Sequence, residues 1–327
     1  MKFQFGLKRW VSGGVLAALA LGAAAQPAVQ NFPDKPLRFV VPFAAGSTTD
    51  QAARFVAKHI TDMTKQPVIV DNRVGANGFI GLQYALTQPA DGYTVVITSS
   101  TTHAANPSLF KKLPYDPVAD FVPLTGLVIG SMVLAVAPSS PAHNVQELVA
   151  LAKQRPGKLT FGSGNSSSRA GGEMFKELAG VDILHVPYKA LPMVMTDVVG
   201  GQIDMVFGDA PAVMPLVRGG KLRALGVSTR NRMPAFDNIP TIAEQGIAGY
   251  ELSGWLAAFA IKGTPPAIAD KLNGMLVAIM KTPEAAKFFG ENAWAPIPSS
   301  REEFAQFQRA EIARWARVMK SAGIEPE

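Results

Sequence analysis

The chain contains no cysteine among its 327 residues. Disulfides, thiolate nucleophiles and cysteine-based zinc sites are therefore excluded. Charge is also scarce, because charged residues make up 17% of the sequence and apolar residues 48%. This composition is typical of a compact globular protein and argues against a disordered chain. A protein of this length usually exceeds what one hydrophobic core supports, so we expect two domains.

An apolar run stands near the start of the chain. It spans 15 residues, Val11–Ala25, follows three basic residues and ends in small residues that fit a signal-peptide cleavage site. A membrane-spanning helix needs roughly 20 apolar residues, and a lipid anchor would need a cysteine. No stop-transfer pattern follows, which argues against a retained N-terminal helix. We therefore interpret residues 1–25 as a secretory signal peptide.

Positive charge is in small excess only. The net charge of +6 falls to +3 when the three basic residues of the signal peptide, Lys2, Lys8 and Arg9, are removed. The remaining excess is scattered along the chain, so we predict no nucleic-acid partner. The His, Asp and Glu residues show no metal-ligand spacing, so we predict neither a metal nor another cofactor.

Strand-like and helix-like runs alternate beyond residue 33. Leu37–Phe43, Pro67–Asn72 and Tyr93–Ser99 are short and β-branched, and DQAARFVAKHITDM between the first two is amphipathic. The alternation resumes after a capping-box pattern at Asn144–Glu147, with KLTF, DILHVPY, QIDMVF and LRALGVS as strands, and a second such pattern at Ser300–Glu303 opens the last helix. The sequence therefore predicts an α/β protein.

Two long apolar passages interrupt the alternation of strand-like and helix-like runs. VPLTGLVIGSMVLAVAPSS (122–140) is predicted to be a buried strand pair, and YELSGWLAAFAIKG (250–263) leads to a helical tail. The chain then crosses between two domains twice. We predict a discontinuous first domain, residues 31–125 plus 256–327, and a second domain, residues 126–255. The cleft between them is the expected site, since ligands of open α/β sheets lie beyond the carboxyl ends of strands.

Three loops of similar composition each follow a predicted strand. FAAGSTTD (43–50), TSSTTHAAN (98–106) and FGSGNSSSRAGG (161–172) combine small residues with hydroxyl residues. Free N–H groups at the start of the following helix favour an anion at such a turn. Ordinary helix capping explains any one of these loops about equally well, but three of them at one cleft favour an anionic ligand.

Catalytic and nucleotide-binding motifs are not found. GSGNSS (162–167) lacks the third glycine of the dinucleotide fingerprint and the lysine of a P-loop. No G-x-S-x-G is present, and the four histidines belong to no triad order. His103, inside the second loop, is a candidate for ligand contact. Asp209, at the end of a predicted strand, either meets the ligand or caps the next helix. We predict no catalytic residue.

FPDKPLRFVVPFAAGSTTD (32–50), PADGYTVV (89–96) and GGQIDMVFGDAPAVMPLVRGGKLRALGVST (200–229) resemble the Bug family of periplasmic solute-binding proteins, the receptors of tripartite tricarboxylate transporters. The resemblance runs from about Phe32 to the C-terminus. It implies a two-domain periplasmic-binding-protein fold of the type II-like Venus flytrap kind. It also implies a small carboxylate as cargo, either an amino acid, a di- or tricarboxylate or an aromatic acid. A monomer and a membrane permease partner are expected.

The resemblance places ligand contacts in the same loops. The family turn Y-K/R-G-x-x-P-A appears here as Tyr188–Met193, with Ala190 in place of glycine. Asp209 matches a position that faces the ligand in some members, where it would repel a carboxylate without an amine. The residues expected to bind ligand are Phe43, Ala45, Gly46, Ser47, Thr48, Ser99, Ser100, Thr101, His103, Asn106, Gly164, Asn165, Ser166, Ser167, Ser168, Ala190 and Asp209.

The sequence thus predicts a non-catalytic periplasmic receptor that traps an organic carboxylate between two α/β domains and delivers it to a permease. The alternative is a secreted α/β enzyme that acts on a carboxylate. Recovery of the ligand chemically unchanged would distinguish the two.

Overall fold

The computed structural model describes residues 31–291, 294–321 and 324–326. The predicted signal peptide, residues 1–25, lies outside the described residues. Within these ranges, no helix combines the length and the apolar character that crossing a membrane requires.

The described strands form one continuous path. The strands are β1 (Leu37–Val41), β2 (Val68–Asn72), β3 (Thr94–Ser99), β4 (Phe121–Val136), β5 (Thr160–Ser163), β6 (Leu184–Pro187), β7 (Met205–Asp209), β8 (Arg223–Val227), β9 (Ser253–Ile261) and β10 (Trp294–Pro296). Their order along the path is β2-β1-β3-β9-β4-β7-β5-β6, and β8 and β10 each pair with β4.

Helices connect most of these strands. They are α1 (Thr48–Thr64), α2 (Phe79–Leu86), α3 (Asn106–Leu109), α4 (Val145–Gln154), α5 (Ser166–Ala179), α6 (Leu191–Val199), α7 (Ala210–Arg218), α8 (Pro266–Met280), α9 (Pro283–Gly290) and α10 (Arg301–Ser321). Short 3-10 turns stand at Ala76–Gly78 and Pro234–Phe236, and a π-helical turn occupies Thr101–Ala105. The hydroxyl-rich loop predicted after β3 is therefore largely helical.

The strand β4 joins two halves of the molecule. Its first part, Phe121–Ser131, pairs antiparallel with β9, and its last part, Met132–Val136, pairs antiparallel with β7. In the first half, β1 lies parallel between β2 and β3, and β3 pairs antiparallel with β9. In the second half, β5 lies parallel between β6 and β7. We call β1 to β3, β9 and β10 with their helices the first half, and β5 to β8 with their helices the second half.

The passage predicted as a strand pair is one strand of 16 residues, so that prediction is wrong. The glycines of β4 do not form turns. They leave room for side chains of the segment around β10 to pack closely against the strand. A Cβ atom on Gly126 would lie 2.9 Å from the Ile297 side chain, and one on Gly130 would lie 2.5 Å from the Trp294 indole. The domain limits at residues 125 and 255 stay a prediction. The structure places the change of β4 partners after Ser131.

The helix α1 forms where the sequence predicts it. Ser47 caps it, with its Oγ accepting a hydrogen bond from Asp50 N at 3.3 Å. Ala52, Val56 and Ile60 recur at helical spacing and are fully buried against the core. The cap and the apolar stripe together fix where the N-terminus of α1 lies.

Of the two predicted capping boxes, that at Ser300–Glu303 is confirmed, whereas at Asn144 the cap forms but the Glu147 side chain bonds the residue before it. Asn144 Oδ1 accepts a bond from Glu147 N at 2.8 Å, and the Glu147 carboxylate accepts one from His143 N at 2.7 Å. At the start of α10, Ser300 Oγ accepts a bond from Glu303 N at 3.2 Å, and the Glu303 carboxylate accepts one from Ser300 N at 2.9 Å.

Candidate functional site

A cavity lies between the two halves, where the loops after β1, β3, β5 and β7 converge. Its volume is about 30 Å³, enough for the centres of roughly two water molecules. Eleven of the residues predicted to bind ligand line it: Phe43, Ser47, Thr48, Ser99, Ser100, Thr101, Gly164, Asn165, Ser167, Ala190 and Asp209.

Five predicted residues lie beside the cavity without lining it. Ala45 and Gly46 belong to the bend before α1. Asn106 and Ser166 bond to each other, with Ser166 Oγ donating to Asn106 Oδ1 at 2.7 Å. Ser168 serves the cap of α5, where its Oγ accepts a bond from Gly164 N at 3.1 Å. These five residues therefore contribute to the bend before α1, to the cap of α5 and to the contact between Asn106 and Ser166, and they do not line the cavity.

The sixth predicted residue that does not line the cavity is His103, which lies in the hydrophobic core. Its ring stacks on Phe259 with centroids 4.0 Å apart and is fully buried. Burial lowers the pKa of His103 to about 3, so the ring is neutral. The Thr102 hydroxyl lies 2.9 Å from Nδ1. The structure does not bring this side chain to the cavity, because the π-helical turn after β3 directs it inward.

The first turn of α1 faces the cavity with free donors. Asp50 N is bonded to the Ser47 cap, and the Asp50 carboxylate accepts from Gly46 N at 2.9 Å. The backbone N–H groups of Thr48 and Thr49 have no partner among the described residues, as is usual for a first helical turn. These two N–H groups and the helix dipole make this end of α1 attractive to an anion.

The first turn of α5 presents the same arrangement from the second half. Asn165 caps the helix, and its Oδ1 accepts a bond from Ser168 N at 2.8 Å. The N–H groups of Ser166 and Ser167 have no partner among the described residues. Two helix N-termini from opposite halves therefore meet at one cavity.

Direct contacts join the halves around the cavity. The Thr101 and Ser167 hydroxyl oxygens lie 2.9 Å apart, and Asn106 and Ser166 are bonded as described above. All four side chains are buried. The cleft is closed in this structure.

Gly164 shapes one wall of the cavity. A Cβ atom there would lie 2.1 Å from Leu191 N and 2.4 Å from the Ala190 carbonyl carbon. Only glycine allows the backbone after β5 to approach the turn before α6 this closely. The turn that departs from the family pattern at Ala190 thus packs directly on the start of α5.

Asp209 brings a carboxyl group into the cavity. It precedes α7, yet its side chain does not cap that helix. Burial raises the pKa of this carboxyl group to about 6, and the nearby Thr48 hydroxyl offsets the shift in part. The Thr48 hydroxyl is itself buried and makes no hydrogen bond of good geometry within the described residues.

A wider cleft opens outside the cavity. Its volume is about 450 Å³, and it shares Phe43, Gly164, Asn165 and Lys189 with the cavity lining. Arg169 and His185 also line it, and no Asp or Glu is among its described lining residues. The approach to the cavity is therefore basic.

Nine lining residues are not among those expected to bind ligand, although the first five lie in the loop 43–50 or in the Tyr188–Met193 turn. They are Ala44, Thr49, Lys189, Leu191, Pro192, Gly254, Trp255, Leu256 and Trp294. Gly254 to Leu256 lie in the second apolar passage. Because that passage was predicted to cross between the domains, its residues could have been expected at the cleft. Trp294 had no local signal, because it reaches the site only when β10 pairs with β4. Within the described residues, no group of three or more His, Asp and Glu side chains could hold a metal ion.

The chain matches a known protein family over most of its length. Residues 52–324 match the tripartite tricarboxylate transporter family receptor model. Protein BugT of Bordetella pertussis is 33% identical over 315 residues, covering 95% of this chain and 96% of BugT.

Solved structures show the same fold. An R. palustris protein with adipate has a TM-score of 0.88 and 35% identity, covering 90% of this chain and all of that one. MatC from Rhodopseudomonas palustris with bound malate has a TM-score of 0.82 and 28% identity, covering 88% and 99% of the two chains. The predicted two-domain periplasmic-binding-protein fold is confirmed. The chain belongs to the family of tripartite tricarboxylate transporter receptors, which are periplasmic binding proteins.

Proposed function

We propose that this protein captures a small organic carboxylate in the cavity between its halves and delivers it, in the periplasm, to the permease of a tripartite tricarboxylate transporter. It acts as a monomer and leaves the ligand chemically unchanged. The observation that carries the proposal is the meeting of two helix N-termini, α1 and α5, at one cavity, each with two free backbone N–H groups.

The charge at this site suits a carboxylate. Each helix N-terminus is equivalent to about +0.5 of an elementary charge, so two of them together balance one carboxylate. Hydroxyl groups of Ser47, Ser99 and Thr101 line the same cavity and supply further hydrogen-bond donors. The related structures with adipate and malate support a carboxylate as the ligand class.

Loading requires the halves to separate. An organic acid does not fit a cavity of about 30 Å³, so the Thr101–Ser167 and Asn106–Ser166 contacts open before it enters. The strand β4 and the segment leading into β9 connect the halves and act as hinges. The basic outer cleft attracts an anion toward the opening.

The enzyme alternative has weaker support. The cavity contains one acidic side chain, Asp209, and neither a nucleophile–base pair nor a histidine among its described lining residues. His103 is neutral and buried in the core. Family members and structural neighbours are binding proteins.

A thermal-shift screen tests the proposal. The purified protein is heated with mono-, di-, tri- and aromatic carboxylates, among them adipate and malate, and NMR then checks the recovered acids. A ligand that binds only the native state raises the melting temperature. We expect at least one carboxylate to do so and to be recovered unchanged. Conversion of the acid to a product would favour the enzyme, and no shift with any carboxylate would refute the ligand class.

A further inference from the structure

The C-terminal helix α10 carries a largely buried ion pair. Arg314 Nε donates to Glu311 Oε1 at 2.7 Å, and Arg314 Nη2 donates to Glu311 Oε2 at 3.1 Å, so the pair is bidentate. The Glu311 side chain is 9% exposed and the Arg314 side chain 25%. None of the described lining residues of the cavity belongs to α10. Any effect of this pair on the ligand is therefore indirect.

Both members of the pair bond to a segment of β9 that forms one wall of the cavity. Trp255 Nε1 donates to Glu311 Oε2 at 3.0 Å, and Arg314 Nη2 donates to Ser253 Oγ at 2.8 Å. Residues 254–256 line the cavity. The pair therefore holds the start of this wall at two points, one just before it and one within it.

The residue before this segment is held by the second half of the molecule. Leu252 N donates to Ser228 O at 2.8 Å, and Leu252 O accepts a bond from Ser228 Oγ at 2.5 Å. Ser253, in contrast, pairs with Ser131 of β4, where β4 still lies alongside β9. The chain therefore passes from contacts with the second half to contacts with the first half between Leu252 and Ser253.

Opening of the cleft bends the chain near this point, because a hinge lies where the contacts change from one half to the other. Leu252 and the cavity wall are separated by Ser253 alone, so a movement at Leu252 would spread into β9 unless Ser253 and Trp255 were fixed. The planar guanidinium group of Arg314 bonds the carboxylate and Ser253 at the same time. The ion pair therefore resists displacement of the wall.

A buried indole does not by itself require an ion pair. The Nε1 groups of Trp294 and Trp315 are also buried, and they have no hydrogen-bond partner among the described residues. A buried ion pair is costly to desolvate and is often no more stabilising than apolar residues of similar volume. The pair at Glu311 and Arg314 is therefore better explained by the position that it gives to Trp255 than by net stability.

Resting on the proposed carboxylate function, we propose that Glu311 and Arg314 are positioning residues of the ligand site. They hold the cavity wall in one place while the halves open and close, so that each incoming ligand meets the same surface. They act through Ser253 and Trp255 and do not touch the ligand. The helix α10 thereby contributes to affinity from outside the cavity.

Two variants of the pair distinguish an effect of position from an effect of charge. Calorimetry with the tightest acid of the screen compares them with the wild type. Glu311→Ala removes a negative charge near an anion site, so charge alone would tighten binding, whereas a displaced wall weakens it. We expect an affinity about tenfold weaker, as for loss of a hydrogen bond to a charged group. Arg314→Lys keeps the charge but loses the planar group that bonds in two directions, and it should weaken binding about threefold.

Gln308→Ala is the matched control on the same helix. Gln308 is buried, and its Nε2 donates to Pro117 O at 2.8 Å, outside the described cavity lining. The change loosens α10 from the core without removing a contact to Ser253 or Trp255. We expect the free energy of unfolding to fall and the affinity to stay unchanged. Urea unfolding confirms that each variant is folded before it is titrated.

The indole N–H of Trp255 reports on the position of the wall directly. Its NMR resonance is assigned by its loss in Trp255→Phe. Glu311→Ala should move the indole proton upfield, because a hydrogen bond to a carboxylate is lost. Glu311→Gln retains an oxygen acceptor and should restore most of the wild-type resonance position and most of the affinity.

Several results would overturn the inference while the carboxylate function stands. They are unchanged or tighter binding by Glu311→Ala, an equal loss of affinity in Gln308→Ala, and an indole resonance that does not respond to Glu311→Ala. Unchanged affinity in Arg314→Lys would overturn it too, and this variant decides if Glu311→Ala does not fold. If the wild type binds no acid, the carboxylate function itself fails, and the inference fails with it.

Discussion

The hydroxyl oxygens of Thr101 and Ser167 lie 2.9 Å apart and join the two halves across the cavity. Both groups are uncharged, whereas the helix N–H groups around them provide the main attraction for an anion. We expect Ser167→Ala to weaken carboxylate binding by only about 0.5 to 1.5 kcal/mol, the net value of a neutral hydrogen bond. Calorimetry with the tightest acid of the screen measures this. Complete loss of binding would show that hydroxyl side chains hold the ligand.

Gly164→Val should be far more damaging. The added Cβ would meet backbone atoms of Ala190 and Leu191 at 2.1 to 2.5 Å, so the start of α5 and the turn before α6 must move apart. We expect affinity to fall at least tenfold more than with Ser167→Ala. Gly274→Val in α8 is the matched control, since a Cβ there meets nothing within 4 Å. Equal affinities for the Gly164 and Gly274 variants would contradict this role of Gly164.

Gly46→Val tests whether the backbone conformation at Gly46 matters for binding, because the added side chain would cause no steric clash there. Nothing lies within 4 Å of a Cβ at Gly46, but its φ of +80° is strained for a β-branched residue. Strain of this kind amounts to about 1 to 3 kcal/mol. We expect the variant to lose affinity by shifting the bend before α1, more than Ser167→Ala does. Unchanged affinity would mean that the bend does not position the first turn of α1.

Asp209→Asn should stabilise the ligand-free protein in a pH-dependent way. The folded pKa of about 6 exceeds the usual 3.8, so Asp209 favours folding while protonated and loses that contribution as pH rises through 6. Asparagine is neutral throughout. The gain in unfolding free energy should therefore grow from near zero at pH 4 to at most about 3 kcal/mol at pH 8. Urea unfolding at the two pH values checks this, and a gain independent of pH would contradict it.

His103 should make the protein sensitive to acid. Burial holds its folded pKa near 3, below the usual 6.5, so the unfolded chain takes up a proton first as pH falls below 6.5. His103→Phe retains an aromatic ring beside Phe259 and removes this titration. Between pH 7.5 and 4.5 the variant should lose about 3 kcal/mol less unfolding free energy than the wild type. An equal loss in both proteins would contradict the buried neutral ring.

Much of the fold could be predicted because its signals are local. The β-branched strands, the amphipathic α1 and the helix caps at Asn144 and Ser300 each depend on a few adjacent residues, and the structure places them as expected. The 16-residue β4 could not be predicted as one strand. Its glycines resemble turn signals. They make room for Trp294 and Ile297, which lie far along the chain and pack against β4 only in the folded protein.

The candidate site follows the same rule. Ser47, Asn165 and Ser167 line the cavity, and this placement could be expected because strand, loop and helix succeed one another along the chain. His103 was misplaced, since a histidine among hydroxyl residues resembles an exposed group and its stacking on Phe259 depends on a strand more than 150 residues away. Trp294 was missed for the same reason. Contacts that depend on distant strands leave no pattern in the local sequence.

A crystal structure of the protein with the tightest acid from the screen tests the central claim most directly. We predict that the ligand carboxylate lies between the halves, with its oxygens 2.7 to 3.2 Å from backbone nitrogens at the first turns of α1 and α5. Thr48 and Thr49 would supply the donors on one side, and Ser166 and Ser167 those on the other. A carboxylate held in the outer cleft by Arg169 and Lys189, with both helix N-termini unoccupied, would contradict the account.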